Sequence, residues 1–250
     1  MSEGPTAAML VIGDEILSGR TQDVNAHHLA GVLTEIGIRL VEVRFVPDEA
    51  DRIVAALNAL RAAVDHVFTS GGIGPTHDDI TADAVAAAFG VGIDVREDAK
   101  AILLAYYGDE GINPARLRMA RIPDGASLID NPVSRAPGFT LGNVHVMAGV
   151  PIIFQEMLAG LRGRLKGGAP VLAHSFRAQI PEGDLAEGLR AAAAAHPAVS
   201  IGVYPFFRGG LGCTVIARSG DRALLGAAAD DLRALLETMK PGAVQETPPA

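Results

Sequence analysis

Residues 65–89 read DHVFTSGGIGPTHDDITADAVAAAF. Asp65–Ser70 is a short apolar run of strand length, Thr81–Phe89 is typical of a helix, and a glycine-rich segment joins them. A strand that leads through glycines into a helix is typical of a sheet with helical crossovers. We therefore predict a strand–loop–helix unit with the glycine segment at the carboxyl end of the strand.

The segments before this unit repeat the same alternation. We predict strands at Ala7–Gly13 and Ile38–Val46, a helix beginning at Asn25, and a helix spanning Ile53–Val64. Strands that alternate with helices of this length require a parallel sheet covered on both faces. The predicted fold class is α/β, a three-layer α/β/α arrangement around a mostly parallel sheet.

After about residue 90 the alternation weakens, and prolines mark irregular chain. Predicted elements here are helices at Asp98–Tyr107, at Asn113–Arg121 and after Pro151, and a hairpin of Thr140–Leu141 with Val144–Met147. Beyond a glycine-rich linker, the order β-α-β-β-α predicts a small α+β subdomain. The predicted domains are residues 1–165, residues 170–240 and a disordered tail, residues 241–250.

Composition excludes several classes of protein. The net charge is −8, which argues against general binding to nucleic acid or to an anionic membrane. The single cysteine, Cys213, excludes an intramolecular disulfide framework and a cysteine-rich metal site. We find no apolar run of membrane-spanning length and no basic segment typical of a signal peptide, so we expect a cytoplasmic protein.

The glycine segment is the strongest functional signal. Glycines allow a ligand to approach the backbone, and free N–H groups at a helix start favour anions, so Gly71, Gly72 and Gly74 are candidate phosphate-binding residues. The segment matches neither the Gly-Lys-Ser/Thr phosphate loop nor the Gly-x-Gly-x-x-Gly dinucleotide fingerprint. The alternative is a tight turn in which Asp79 or Thr81 caps the helix.

Acidic residues surround this segment. Asp78 and Asp79 would repel a phosphate unless one turned away or a divalent cation bridged them, and Mg²⁺ is typically held by one or two carboxylates plus ligand phosphates. Asp14-Glu15 and Asp48 follow the first and second strands, so we expect them at the same edge of the sheet. Taken singly, each is more typical of a solvated turn, but together with Asp78 and Asp79 they form an acidic rim around the glycine segment. Further candidates are His77, the cations Lys100, Arg116, Arg118 and Arg121, and a rigid loop with Ser134 and Arg135.

Several of these segments together resemble the molybdopterin-binding-like family, and within it the amino-terminal domain of the CinA (competence/damage-inducible) branch. The matching segments are Val11–Gly19, Asn25, Val46–Asp48, Thr69–Thr81, Asn131–Val133, Ala136–Phe139 and Gly149–Pro151. The final β-α-β-β-α segment resembles the small second domain of some relatives, including animal FAD synthases. The resemblance implies a homo-oligomer, dimer or trimer, and a small-molecule ligand that is a nucleotide or pterin phosphate.

For the CinA-like branch, the resemblance implies metal-dependent hydrolysis of nucleotide diphosphate compounds such as ADP-ribose or FAD. The acids important in the molybdenum-cofactor members correspond to Asp48 and Asp79, and we add Glu15 as a candidate catalytic base, with Asp14 as its alternative. The candidate metal ligands are Asp78, Asp79 and Asp48. The implied ligand-binding residues are Gly71, Gly72, Gly74, Pro75, Thr76, Asn25 and Ser134. A module that binds molybdopterin or a nucleotide without turnover, and a molybdopterin adenylyltransferase, are the alternatives.

Three positions depart from the family pattern. Asp14 replaces a usual Thr, Ala148 replaces a usual Pro, and Asp78 replaces the Arg of the adenylyltransferases, as is usual in the CinA-like branch. The last change removes a phosphate-pairing cation and disfavours adenylyl transfer to molybdopterin. We also expect the deamidase activity of full-length CinA proteins to be absent, since 250 residues leave no room for that domain.

Overall fold

The computed structural model describes residues 4–207, 210–242 and 244–249. They form two compact units, one comprising Gly4–Gly168 and the other the described residues from Ala169 onward.

The first unit contains eight strands and seven helices among the described residues. Its strands are β1 (Thr6–Ile12), β2 (Arg39–Val46), β3 (His66–Ser70), β4 (Ile93–Val95), β5 (Arg121–Pro123), β6 (Ser127–Ile129), β7 (Gly138–Leu141) and β8 (Val144–Met147). Its helices are α1 (Asp14–Leu17), α2 (Asn25–Glu35), α3 (Ala50–Ala63), α4 (Thr81–Phe89), α5 (Glu97–Tyr107), α6 (Pro114–Arg118) and α7 (Pro151–Arg162).

The central sheet has six strands in the order β2-β1-β3-β8-β7-β6. Strands β2, β1, β3 and β8 run parallel, and β7 and β6 add an antiparallel edge. The carboxyl ends of the four parallel strands therefore lie at one edge of the sheet, which is where ligands bind in open α/β sheets.

Helices cover both faces of this sheet because its strands are apolar on both sides. Along β1, Ala8, Leu10 and Ile12 belong to a core shared with α3 and α4. The alternate residues Met9 and Val11 belong to a second core shared with α2 and α7. The predicted three-layer α/β/α class is confirmed.

The second unit contains β9 (Leu172–Ala178), α8 (Glu182–Ala195), β10 (Ser200–Phe206), β11 (Gly212–Ser219), α9 (Arg222–Met239) and β12 (Val244–Thr247). Its antiparallel sheet has the order β10-β11-β9-β12. Apolar side chains of α8 and α9, such as Leu185, Leu232 and Leu236, pack with Phe176 and Val215 of the sheet in a separate core. The predicted small α+β fold is confirmed.

Two sequence predictions need correction. The sequence predicts a disordered tail at residues 241–250, but Val244–Thr247 pairs with β9 as an edge strand, and residues 243 and 250 lie outside the described residues. Arg233 makes two hydrogen bonds, of 2.8 and 2.6 Å, to Glu246 of this strand. An ion pair between separate elements cannot be predicted from the composition of a short polar segment. The predicted helix Asn113–Arg121 ends at Arg118, because Arg121 enters β5 and pairs with Val95.

Candidate functional site

The glycine loop (residues 71–76) leaves β3 at the carboxyl edge of the sheet. Gly71 and Gly72 have φ angles of 106° and 69°. A Cβ atom added at Gly71 would lie 2.2 Å from the Ile12 carbonyl oxygen, and one added at Gly72 would lie 2.2 Å from Thr81 Oγ1. Only glycine therefore allows the loop to pass between the end of β1 and the start of α4.

Hydrogen bonds hold the loop but leave several donors unused. Gly71 N–H donates to the Met147 carbonyl at 3.2 Å, and Thr81 Oγ1 and N–H donate to the Gly71 and Gly72 carbonyls at 3.0 Å each. The backbone N–H groups of Gly72, Ile73 and Gly74 donate to no acceptor within the described part of the chain. Three successive N–H groups without an acceptor are a backbone arrangement suited to an anion.

Asp79 shapes the same loop. Its Oδ2 accepts hydrogen bonds from Thr76 N–H at 2.8 Å and from Thr76 Oγ1 at 2.5 Å. A Cβ atom at Gly74 would lie 2.6 Å from this oxygen. One carboxylate oxygen of Asp79 thus closes the turn from inside, and Oδ1 makes no hydrogen bond with the described residues.

Acidic side chains from two neighbouring strand ends lie beside the loop, as the sequence predicts. Asp48 follows β2, and its Oδ2 accepts a hydrogen bond of 3.0 Å from the N–H of Asp14, which follows β1. Burial raises the pKa of the Asp48 carboxyl, and the charges of Asp14, Glu15 and Asp78 raise it further against the Asp14 N–H bond. This crowding of negative charge favours a bound cation.

Within residues 4–207, 210–242 and 244–249, no group of three or more His, Cys, Asp or Glu side chains is close enough to hold a metal ion. The protein part of a Mg²⁺ site needs only one or two carboxylates when phosphate oxygens complete the coordination. Asp48 and Asp78, whose charges act on each other, fit that requirement.

The strand ends enclose a cleft of about 730 Å³. Its lining includes the whole glycine loop, the carboxylates of Glu15, Asp48, Asp78 and Asp79, and Ser134. Of the predicted ligand-binding residues, Gly71, Gly72, Gly74, Pro75, Thr76 and Ser134 thus lie at one cleft. A volume of this size suits a nucleotide-sized ligand.

Asn25 lies elsewhere. It is buried and does not line the cleft. Its side-chain amide donates to Ser70 Oγ and to the Gly149 carbonyl, both at 2.8 Å. Asn25 therefore connects the end of β3 to the segment before α7 by hydrogen bonds, and it stabilises the cleft wall without lining the cleft.

The rigid loop before β7 is held by a second buried amide. Asn131 is 1% exposed; its side chain donates to Ser134 Oγ at 2.7 Å and to the Ala136 carbonyl at 2.8 Å. These bonds fix Ser134 at the cleft. Arg135 takes a positive φ of 64°, which is rare for a residue other than glycine and shows how tightly this turn is constrained.

The amino terminus of α7 also faces the cleft, since Gly149, Val150, Pro151 and Ile153 line it. No side chain of the described residues caps this helix, and its first turn contains no acidic residue. A Cβ atom at Gly149 would lie 3.2 Å from Gly71 Cα, so the two backbones touch. The helix start therefore adds partial positive charge beside the glycine loop.

The candidate cations differ in whether they line the cleft and in which groups they contact. Arg116 lines the cleft, whereas Arg121 pairs with Asp83 at 2.7 Å and Lys100 pairs with Glu97 at 3.2 Å outside it. Arg118 donates to the Asp79 carbonyl at 3.4 Å. His77 is exposed and does not line the cleft.

Four residues that line the cleft could not be predicted from the sequence, since nothing in the local pattern indicates them: Thr21, Tyr107, Met119 and Ile153.

Comparison with known proteins identifies the first unit. A family model described as "Probable molybdopterin binding domain" matches residues 8–167. The CinA-like protein of Geobacter sp. (strain M21) is 36% identical over 201 residues, covering 73% of this chain and 49% of that protein. A protein of Aeropyrum pernix is 32% identical over 216 residues, covering 82% of this chain and 81% of the relative.

A solved structure agrees with these relatives. The protein CinA from Thermoplasma acidophilum, described as of unknown function, is 35% identical, with a TM-score of 0.61. The match covers 64% of this chain and 97% of that one.

The second unit has a match of its own. A model described as "FAD synthase, middle domain" matches residues 170–243. The chain spans about half the length of the CinA-like protein of Geobacter. Among the helices of the described residues, none has the length and apolar character needed to cross a membrane.

Proposed function

Since this chain belongs to the molybdopterin-binding-domain family and to its CinA-like branch, we propose that its cleft binds a phosphate-bearing nucleotide and hydrolyses the diphosphate bond. ADP-ribose and FAD are the proposed substrates, and the match of residues 170–243 to a FAD synthase domain favours including the flavin compound.

The observation that carries the proposal is the row of free N–H groups at Gly72, Ile73 and Gly74 in a cleft that also contains four carboxylates. Free backbone donors suit a phosphate, whereas the carboxylates alone would repel it. A divalent cation removes this conflict, because it attracts both the phosphate oxygens and the carboxylates.

Each cleft residue then has a proposed role. The N–H groups of the glycine loop hold the phosphoryl oxygens, and the carboxylates of Asp48 and Asp78 hold Mg²⁺ or a similar ion. Asp79 instead holds the turn of the loop through its hydrogen bonds to Thr76. When bound, such an ion neutralises phosphate charge and polarises the phosphoryl oxygen. Glu15, whose carboxylate lies against Gly13, is the proposed base that accepts a proton from the attacking water.

The test is an HPLC assay with ADP-ribose, FAD and NAD, with and without Mg²⁺, Mn²⁺ or Co²⁺. We expect metal-dependent release of AMP, reduced at least about 100-fold in Asp48→Asn. Asparagine can still accept the hydrogen bond from the Asp14 N–H group. The raised pKa of Asp48 means that folding disfavours its charged form, so removing this carboxylate should leave the free energy of unfolding at pH 7 unchanged or higher.

Asp51→Asn is the matched control, because Asp51 is an exposed carboxylate near the same strand end but outside the cleft. Its turnover should equal that of the wild type. Full activity in a folded Asp48→Asn variant would contradict the proposed role of Asp48.

Absence of cleavage with every compound would favour the non-catalytic alternative, a module that binds molybdopterin or a nucleotide. An ATP-dependent product formed only with molybdopterin would favour the adenylyltransferase. Association into a dimer or trimer and a cytoplasmic location remain predictions from the sequence. Sedimentation velocity tests the first and cell fractionation the second.

A further inference from the structure

One stretch of the cleft wall is formed by Tyr107 at the end of α5 and by Arg116 in α6. The Arg116 guanidinium carbon lies 4.3 Å from the centroid of the Tyr107 ring, and Nη1 donates to the Gly111 carbonyl. Stacking on the ring and a backbone hydrogen bond both restrict the guanidinium.

The backbone supports this arrangement. Asn113 caps α6 by accepting a hydrogen bond of 2.9 Å from Arg116 N–H, and Pro114 occupies the first turn. A Cβ atom at Gly111 would lie 2.1 Å from the Tyr107 carbonyl oxygen, so glycine lets the connecting loop pack directly on Tyr107. Arg116 is therefore oriented before any ligand binds.

Arg116 differs from the other candidate cations in its position and in its partners. It is the one basic side chain among the described residues lining the cleft, and it forms no ion pair within that described part. Four carboxylates line the same cleft, yet none pairs with it. A half-buried, oriented guanidinium without a carboxylate partner is suited to bind an anion from outside.

We propose that Arg116, stacked on Tyr107, binds the second phosphoryl group of a diphosphate whose first phosphoryl group is held by the glycine loop. This inference rests on the proposed binding of a phosphate-bearing nucleotide. It makes Arg116 the residue that selects diphosphate compounds over monophosphates, in a cleft of about 730 Å³ that has room for both groups and a nucleoside.

The test is calorimetric titration of the full chain with AMP and with the non-hydrolysable α,β-methylene-ADP in the presence of Mg²⁺. We expect the wild type to prefer the diphosphate. Arg116→Gln should weaken binding of α,β-methylene-ADP about 10- to 100-fold and change AMP binding by less than about twofold, because only the second phosphate loses a charged hydrogen bond.

Three variants separate a binding role from a structural one. Arg116→Lys keeps the charge without the planar fork and should recover part of the preference. Tyr107→Leu removes the stacking ring and should reduce the preference for the diphosphate. Arg61→Gln is the matched control, because Arg61 also stacks at 4.3 Å on a ring, that of Phe89, but lies outside the cleft.

An unchanged preference for the diphosphate in a folded Arg116→Gln variant would overturn the inference. Equal weakening of AMP and α,β-methylene-ADP would also overturn it, since that result indicates a general charge effect. A wild type that binds neither compound overturns it as well. If discrimination is found but no substrate is cleaved, the inference stands and the proposed hydrolysis fails.

Discussion

For single residues, two glycines with nearly the same left-handed backbone conformation, Gly72 and Gly90, are subject to different constraints. Gly72 has a φ of 69°, and its missing Cβ leaves space for Thr81 Oγ1. Gly90, the residue that ends α4, has a nearly identical φ of 66°, but no atom lies within 4 Å of a Cβ added there. Comparing substitutions at these two positions therefore distinguishes the cost of a left-handed backbone from the cost of a steric clash.

We predict that Gly90→Ala costs about 1 kcal/mol of unfolding free energy, the cost of a left-handed conformation for alanine. Gly72→Ala should cost at least about 2 kcal/mol, because Thr81 is fully buried and its hydroxyl is bound to the Gly71 carbonyl. Urea unfolding followed by circular dichroism measures both values. Equal losses for the two variants would show that the close approach to Thr81 contributes nothing.

For the secondary-structure elements, polar side chains join three neighbouring strands of the first unit around the buried His145. His145 of β8 contacts His66 Nδ1 of β3 through Nε2 at 3.1 Å and Thr140 Oγ1 of β7 through Nδ1 at 3.0 Å. Burial, with the charges of His66 and Arg164, lowers the pKa of His145 to about 3. The ring is therefore neutral at physiological pH.

This cluster predicts a loss of stability in acid. Between the ordinary pKa of 6.5 and about 3, the unfolded chain binds a proton that folded His145 does not, so stability is complete above pH 6.5 and falls below it. The loss at pH 5 should be about 2 kcal/mol. Urea unfolding at pH 7 and pH 5 measures it.

The control for this prediction is His145→Gln, which cannot titrate. Whatever its stability at pH 7, the variant should lose less unfolding free energy between pH 7 and pH 5 than the wild type does. A pH dependence equal to that of the wild type would assign the acid sensitivity to other groups.

At the scale of the whole molecule, the chain consists of two units with separate apolar cores. Every cleft residue belongs to the first unit, and the family match to residues 8–167 covers almost the same range. Burial of a core of its own is the physical condition for a domain to fold independently.

We therefore predict that a chain ending at Gly168 folds and binds α,β-methylene-ADP with an affinity within about threefold of that of the full chain. Thermal unfolding and calorimetric titration of both chains test this. Loss of binding in a folded fragment would show that the second unit contributes to the ligand site.

Much of the site could be predicted from the sequence because its residues follow strands that the apolar pattern reveals. Gly71, Asp48 and Glu15 each follow a predicted parallel strand, and parallel strands end at one edge of the sheet. Their positions along the chain therefore imply their proximity in space.

The tertiary structure decided the rest. Tyr107 and Arg116 line the cleft because the chain between α5 and α6 turns back on itself, and that path depends on packing at Gly111 rather than on a periodic pattern. Asn25 is in a segment that resembles the family's, yet only the fold places its amide behind the site, between Ser70 and Gly149.

From the amino-acid sequence alone we could predict the three-layer class, the position of the glycine loop and the acidic edge, because periodic apolar burial and strand polarity are local properties of the chain. Only the folded structure shows how the charges are paired. Arg121 and Lys100 form ion pairs, Arg116 forms none with the described residues, and one Asp79 oxygen closes the loop. Pairing depends on distances between residues far apart in sequence, and those distances exist only in the folded protein.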